Sequence, residues 1–193
     1  MKQLASAIIP TPWGEFSVST YAESEDDRMP HLAIAHPDYK NTKVPLVRVH
    51  SECFTGDVLS SRRCDCGEQL NRAIKLINKE KGVLLYLRQE GRGIGLTNKL
   101  KAYNLQDQGL NTVDANHQLG FEADERTYDI ATVILRDLGI SQISLLTNNP
   151  DKVESLQLSG IEIIERRPIQ IEPHAENEQY LQTKKDIMGH FLD

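Results

Sequence analysis

The apolar pattern of this chain changes period at Cys66, and that switch limits what it can fold into. Before it, short apolar runs favour strands: Ile8–Tyr21, interrupted by the turn-forming Pro12-Trp13-Gly14, then His31–Ala35 and Val44–Val49. Glu23 to Arg28 reads as a solvated polar loop between the first two of these. After Cys66, the residues Leu70, Ala73, Ile74 and Ile77 recur at helical spacing and predict a helix over Gly67–Lys81, with Gly82 as the glycine just past its end. Strand Val83–Leu87 follows, then helices over Leu96–Gln106 and Thr127–Leu138. Strand Ile143–Leu146 comes next, with Pro150 opening another helix, then strand Ile161–Ile164 and a final helix near Asn177–Met188. The expected fold class is α+β (mixed α/β): a β-rich N-terminal part packed with a strand–helix alternating C-terminal part, in one domain over residues 1–193.

Charge narrows the function classes. With 22 basic and 28 acidic residues among 193, the net charge is −6, opposite in sign to what phosphate neutralisation along a nucleic acid requires. No apolar run approaches the roughly 18 residues needed to cross a bilayer, and no secretory leader is visible at Met1 to Phe16. The expectation is a cytoplasmic protein with neither a nucleic-acid nor a membrane partner.

All three cysteines, Cys53, Cys64 and Cys66, fall in one short stretch. An odd count cannot be fully paired within the chain, so clustering points to metal binding. Three soft ligands favour Zn²⁺, and a fourth position left to water marks a catalytic site, where the metal would supply hydroxide near neutral pH. The neighbours Arg62, Arg63, Asp65 and Glu68 are poor material for the alternative, three cysteines packed as small hydrophobes. His50 could instead close the site as a fourth ligand.

Several polar turns could hold an anion. Alternation puts Arg48, His50 and Glu52 on one face of a strand that runs into Cys53, a face too polar to expect in a core. Glu90-Gly91-Arg92-Gly93-Ile94-Gly95 follows an apolar strand and opens a helix, where backbone N–H groups can approach a phosphate. As a nucleotide motif it is weak, and an ordinary glycine turn would look the same. Thr147-Asn148-Asn149-Pro150-Asp151-Lys152 repeats that layout, and Asp124-Glu125-Arg126, taken alone, reads as an N-terminal helix cap with a solvated Arg.

Together these strings resemble the GTP cyclohydrolase II family. The matching segments are Pro10 to Gly14, Arg48 to Cys53, Thr55 to Asp57, Arg63 to Gly67, Tyr86 to Gly95, Leu105 to Gly109, Ala115 to Gly120, Ala123 to Arg126 and Leu145 to Pro150. The resemblance implies the family fold and the first step of riboflavin biosynthesis. In that reaction GTP is hydrolysed to 2,5-diamino-6-(ribosylamino)-pyrimidinone 5′-phosphate, formate and pyrophosphate. It implies Zn²⁺ on Cys53, Cys64 and Cys66, whose hydroxide attacks C8 of guanine, Mg²⁺ on the triphosphate, and a homodimer. Substrate contacts implied are Arg48, Val49, His50, Ser51, Glu52, Gln69, Glu90, Gly91, Arg92, Thr112, Thr147 and Lys152. Asp124 matches a proton acceptor, Arg126 a nucleophile, and Tyr103 a tyrosine of the ring-opening steps. A protonated guanidinium is a poor nucleophile, so its chemistry favours charge stabilisation at the α-phosphate for Arg126. The length suggests the stand-alone form without a dihydroxybutanone-phosphate synthase domain. Two other readings stay open: a related hydrolase that stops at a formylated or triphosphate product, and a structural-zinc binding module.

Overall fold

The computed structural model describes residues 1–192, with the side chain of Gln179 outside the description. The chain divides into two compact units.

The first unit (Met1–His50, Asn71–Arg88 and Thr127–Ile169) holds the sheet. Its strands are β1 (Lys2–Thr11), β2 (Gly14–Ala22), β3 (His31–Ala35), β4 (Leu46–Ser51, whose last residue belongs to the second unit), β5 (Val83–Leu87), β6 (Gln142–Leu146) and β7 (Glu162–Arg167). They form one seven-stranded sheet in the order β1-β2-β3-β5-β4-β6-β7, so the β-rich part and the alternating part share a sheet. The β1–β2, β2–β3 and β3–β5 pairs are antiparallel, whereas β4–β6 and β6–β7 are parallel. Burial follows position in the sheet. The inner strands β4, β5 and β6 are buried on both faces, as strands covered on both sides must be, while the edge strands β1 and β7 are largely exposed.

Three helices accompany these strands: α2 (Cys66–Glu80), whose residues from Asn71 onward belong here, α5 (Asp129–Asp137) and α6 (Pro150–Leu158). Ala131, Ile134 and Leu135 of α5 and Leu156 of α6 join Val47, Leu85, Ile143 and Leu145 in the core. Burying each such aliphatic side chain contributes about 1.5–3 kcal/mol. Asn149 caps α6 by accepting from the Asp151 amide at 2.7 Å, with Pro150 in the first turn as expected.

The expectation for Gly82 is corrected. The left-handed residue after α2 is Lys81, at φ 55°, and the Gly82 amide donates to the Ile77 carbonyl at 2.9 Å. Gly82 serves close approach: a Cβ there would lie 2.3 Å from the Leu46 carbonyl oxygen.

The second unit comprises Ser51–Leu70, Gln89–Arg126 and the residues from Gln170 onward. It contains α1 (Phe54–Asp57), the first turn of α2, a 3-10 turn at Glu90–Gly93, α3 (Gly95–Asp107), α4 (Thr112–Gln118) and α7 (Glu178–Asp186). Sequence periodicity predicts nothing at α4. It is a seven-residue helix capped by Asn111, which accepts from the amides of Val113 and Asp114 at 2.9 Å each.

Among the described residues, no helix is long and apolar enough to cross a membrane.

Candidate active site

The cysteines come together in the second unit. Cys53 precedes α1, and its amide donates to Asp57 Oδ2 at 3.0 Å, which closes that single turn on itself. Cys66 is the first residue of α2. The three sulfurs lie within 4.8 Å of one another, and Cys53 Sγ is 3.6 Å from Cys64 Sγ. Two glycines make this spacing possible. A Cβ on Gly56 would sit 3.0–3.1 Å from Cys66 Cβ, Cys53 Sγ and Cys64 Sγ, and one on Gly67 would sit 2.1 Å from the Gly56 carbonyl oxygen. Asp65, between two of the cysteines, is held by other groups: its carboxylate accepts from Gln69 Nε2 at 2.6 Å and from Lys184 Nζ at 2.5 Å.

The donor set fits a soft divalent ion: three sulfurs gathered by backbone geometry around a space that side-chain atoms on Gly56 would invade. Their protonation agrees. The hydrogen bonds from Cys64 and Cys66 hold the Cys53 thiol well below its ordinary range despite burial, with Lys99 assisting. Donating that bond pushes Cys64 up to about 11, and Cys66 is raised for the same reason. In the metal-free cluster these directions favour the thiolate at Cys53 and keep the protons on Cys64 and Cys66. A divalent ion bound by three thiolates displaces both. We expect metal loading at pH 7 to release about two protons per ion. Calorimetry in buffers of different ionisation enthalpy reads that number directly, and a value near zero would contradict the shared-proton arrangement. The sign also sets the pH dependence: the raised thiols favour the protonated, metal-free cluster, so affinity falls as pH falls.

Lys99, on α3, is the site residue that sequence inspection overlooked. Its ammonium lies 3.0 Å from Cys53 Sγ and 2.8 Å from Glu90 Oε1, almost fully enclosed. Burial alone would lower its pKa, but the Cys53 thiolate, Tyr103 and Glu90 together hold it above the ordinary lysine range. The signal was weak, because Lys99 lies on a helix of low amphipathicity among other polar residues. Glu90 also accepts from the Phe54 amide at 2.5 Å and the Gly91 amide at 2.8 Å, tying the Cys53 turn to the glycine-rich turn. One helical turn after Lys99, the Tyr103 hydroxyl lies 3.4 Å from Thr55 Oγ1, which is itself 3.7 Å from Cys53 Sγ. Burial raises the Tyr103 pKa, so the phenol keeps its proton.

A cleft of about 80 Å³ opens beside the cysteines, with Arg92, Lys99, Tyr103, Thr112 and Arg126 in its wall along with Ser51, Glu52 and Gly91. Gly91 and Arg92 both take the left-handed conformation, at φ 62° and 61°. The Glu125 amide donates to the Arg92 carbonyl at 3.0 Å and holds that turn against the loop carrying Asp124 and Arg126. Arg92 is only 9% exposed, and neither of its terminal guanidinium nitrogens has a hydrogen-bond partner among the described residues. A buried cation in that state needs an anion. Arg126 is fixed differently: Nε donates to Asp124 Oδ1 at 2.8 Å, Nη2 donates to Oδ2, and the Arg126 amide donates to Oδ1 at 3.1 Å. Burial would raise the Asp124 pKa, but Arg126 and then Arg92 hold it below the usual carboxylate range. The helix-cap reading of this string is corrected, since α5 begins only at Asp129 after Tyr128. Of the remaining expected contacts in this unit, Gln69 is buried against Asp65 and Glu90 is bound to Lys99 and two amides.

The first unit collects the other expected contacts, Arg48, Val49, His50, Thr147 and Lys152, at the ends of β4 and β6. Arg48 Nη1 donates to the Leu146 carbonyl at 3.0 Å and Lys152 Nζ to the Val49 carbonyl at 2.8 Å. His50 stacks on Tyr86 with centroids 5.5 Å apart, and the Thr147 hydroxyl accepts from the Asn149 amide at 3.1 Å. The expectation that the Arg48–His50 face avoids burial is overturned: both residues are buried, because β4 is an inner strand.

A mixed α/β fold with a three-cysteine candidate metal centre beside a cationic cleft defines the class. A family model for GTP cyclohydrolase II matches residues 2–168. The chain is 52% identical over 187 residues to the GTP cyclohydrolase-2 of Campylobacter fetus subsp. fetus, covering 97% of this chain and 94% of that one. It is 50% identical over 194 residues to the GTP cyclohydrolase-2 of Escherichia coli O45:K1, covering 100% and 98%. It is 56% identical over 193 residues to the riboflavin biosynthesis protein RibBA of Chlorobium phaeovibrioides, spanning all of this chain but only 47% of that relative's length. A two-domain 3,4-dihydroxy-2-butanone 4-phosphate synthase from A. baumannii, RibBX, shares the fold at TM-score 0.50 and 24% identity, over 89% of this chain and 40% of that one. The chain belongs to the GTP cyclohydrolase II family.

Proposed function

We propose that this protein catalyses the first step of riboflavin biosynthesis, hydrolysing GTP with opening of the guanine imidazole ring at C8 and release of formate and pyrophosphate. On this reading residues 1–193 work as a single GTP cyclohydrolase II domain, and the protein acts as a homodimer, as the family resemblance implies. The observation that carries the reaction is the gathering of three sulfurs in a cleft whose wall also holds Arg92 and Arg126. Cys53, Cys64 and Cys66 would hold Zn²⁺, which supplies the Lewis acidity that lets water attack carbon near neutral pH.

The chain's own groups account for the rest. Arg92, buried with two unpartnered nitrogens, binds a phosphate of the substrate, whose Mg²⁺ arrives with the triphosphate. Arg126, kept charged and oriented by Asp124, stabilises negative charge at the α-phosphate as pyrophosphate departs. Asp124 with so low a pKa is a weak base, which favours this electrostatic role over covalent attack by Arg126. The protonated Tyr103 hydroxyl, beside Thr55, is placed to donate to a ring nitrogen as the C8–N bond breaks. Lys99 offsets the charge of the Cys53 thiolate, so the cysteine cluster repels the polyanionic substrate less. Ser51, Glu52, Gly91 and Thr112 line the cleft as further substrate contacts, with Gln69 and Glu90 supporting it. In the first unit, Arg48, Val49, His50, Thr147 and Lys152 are proposed as contacts at strand ends, where open α/β sheets receive ligands.

The test is product identification. GTP, Zn²⁺ and Mg²⁺ with the protein should yield formate and pyrophosphate together, and a chelator should stop both. Correctly metallated protein that releases neither would defeat the proposal, and a product retaining the formyl group or the triphosphate would favour the truncated reaction.

A further inference from the structure

The family model ends at residue 168, yet α7 beyond it reaches the candidate active site of its own unit. Tyr180 and Lys184 stand four residues apart on this helix, so they share a face. Lys184 Nζ lies 2.5 Å from Asp65 Oδ1, with side-chain exposures of 11% and 2%. Asp65 is the residue between two of the three cysteines, and its other carboxylate oxygen accepts from Gln69 Nε2 at 2.6 Å. The Tyr180 ring is near two cations: Lys184 Nζ is 4.5 Å from its centroid, and the Arg92 guanidinium carbon is 5.6 Å away. Tyr180 also lines the cleft. At the rim, His174 Nε2 lies 3.1 Å from Glu68 Oε2, and Arg62 pairs with Glu176 at 3.3 Å.

We propose that Lys184 and Tyr180 are positioning residues, with Lys184 fixing the Cys64–Cys66 loop through Asp65 and Tyr180 holding the Arg92 guanidinium at the anion end of the cleft. This rests on the metal and phosphate roles given above. The physical case is continuity. A buried carboxylate between two ligands that lost its ammonium partner would be held less firmly and would loosen the loop that carries them. The Lys184 ammonium prevents that, and the same ammonium packs on the ring that carries Arg92. The tail thereby reaches both the loop that carries the sulfurs and the group proposed to hold a phosphate.

The experiment uses the full chain loaded with Co²⁺, whose thiolate charge-transfer absorption reports the geometry at sulfur. Lys184→Met is expected to lower Co²⁺ affinity by about 10-fold in chelator competition and to shift that absorption, while Lys184→Arg restores both toward wild type. Tyr180→Leu leaves the Asp65–Lys184 pair in place, so the absorption should stay unchanged while KM for GTP rises several-fold with kcat little altered. It remains informative if Lys184→Met does not fold. Wild-type affinity and spectrum in Lys184→Met, or an unchanged KM in Tyr180→Leu, would overturn the proposal. Wild-type protein without thiolate absorption would overturn the metal reading itself, so the two failures are distinguishable.

Discussion

Gly67→Ala is expected to leave the protein unable to retain metal through gel filtration, with affinity down at least about 100-fold and stability lower by about 1–3 kcal/mol. The added methyl would meet the Gly56 carbonyl oxygen at 2.1 Å and its carbon at 2.8 Å, and both are backbone atoms that no rotamer change can move aside. The chain must separate α1 from the start of α2, and those two segments carry Cys53 and Cys66. Gly56→Ala should do less harm, because its methyl meets sulfurs and a Cβ at 3.0–3.1 Å and those side chains can yield slightly. Metal content by atomic emission, with thermal melting followed by circular dichroism, checks the order. Full metal occupancy and an unchanged melting temperature in Gly67→Ala would refute the close-approach argument.

The second large effect concerns Arg126. Arg126→Gln is expected to lower kcat by about 10²–10³-fold, the usual consequence of removing a donor aimed at developing charge. Arg126→Lys should recover only part of this, because an ammonium keeps the charge but cannot engage Asp124 through two parallel bonds. Pre-steady-state quenching and mass spectrometry of the protein discriminate the alternatives. An electrostatic role predicts no guanylylated protein at any time point, whereas an adduct mapped to Arg126 would establish covalent attack. The pH profile carries an independent sign. The Asp124 pKa is depressed in the folded protein, so the interaction with Arg126 is fully present above the ordinary carboxylate range and is lost only as pH falls through the lower folded value. An acid limb in kcat at mildly acidic pH must then come from another group.

How much of this was legible in the sequence depends on the kind of signal. Strands β3 and β5 carry short apolar runs bounded by polar or glycine residues, and their limits match the expectation residue for residue. Helix α2 was marked by its apolar spacing to within one residue at each end. By contrast, α4 is too short for periodicity to register, and its Asn111 cap sits in a stretch with no apolar stripe. Strand β1 begins at Lys2, well before its apolar segment, because an edge strand needs backbone pairing rather than a buried face. At the candidate site, cysteine spacing pointed to the three sulfurs that the fold brings together, since only three thiols exist and all are clustered. Lys99, Tyr180 and Lys184 were not legible, because their meaning comes from partners distant in the chain. A lysine beside a thiolate reads in sequence as any solvated lysine.

The close approach of the sulfurs has a consequence for the life of the protein whenever no metal ion occupies the cluster. A stripped cluster presents an ionised sulfur, Cys53, 3.6 Å from a second cysteine sulfur and beside a cleft. That arrangement invites sulfenic acid formation followed by condensation to a cystine. An ion held there would therefore act also as a chemical shield, and demetallation followed by exposure to peroxide would convert a reversible loss into one that needs a reductant to undo.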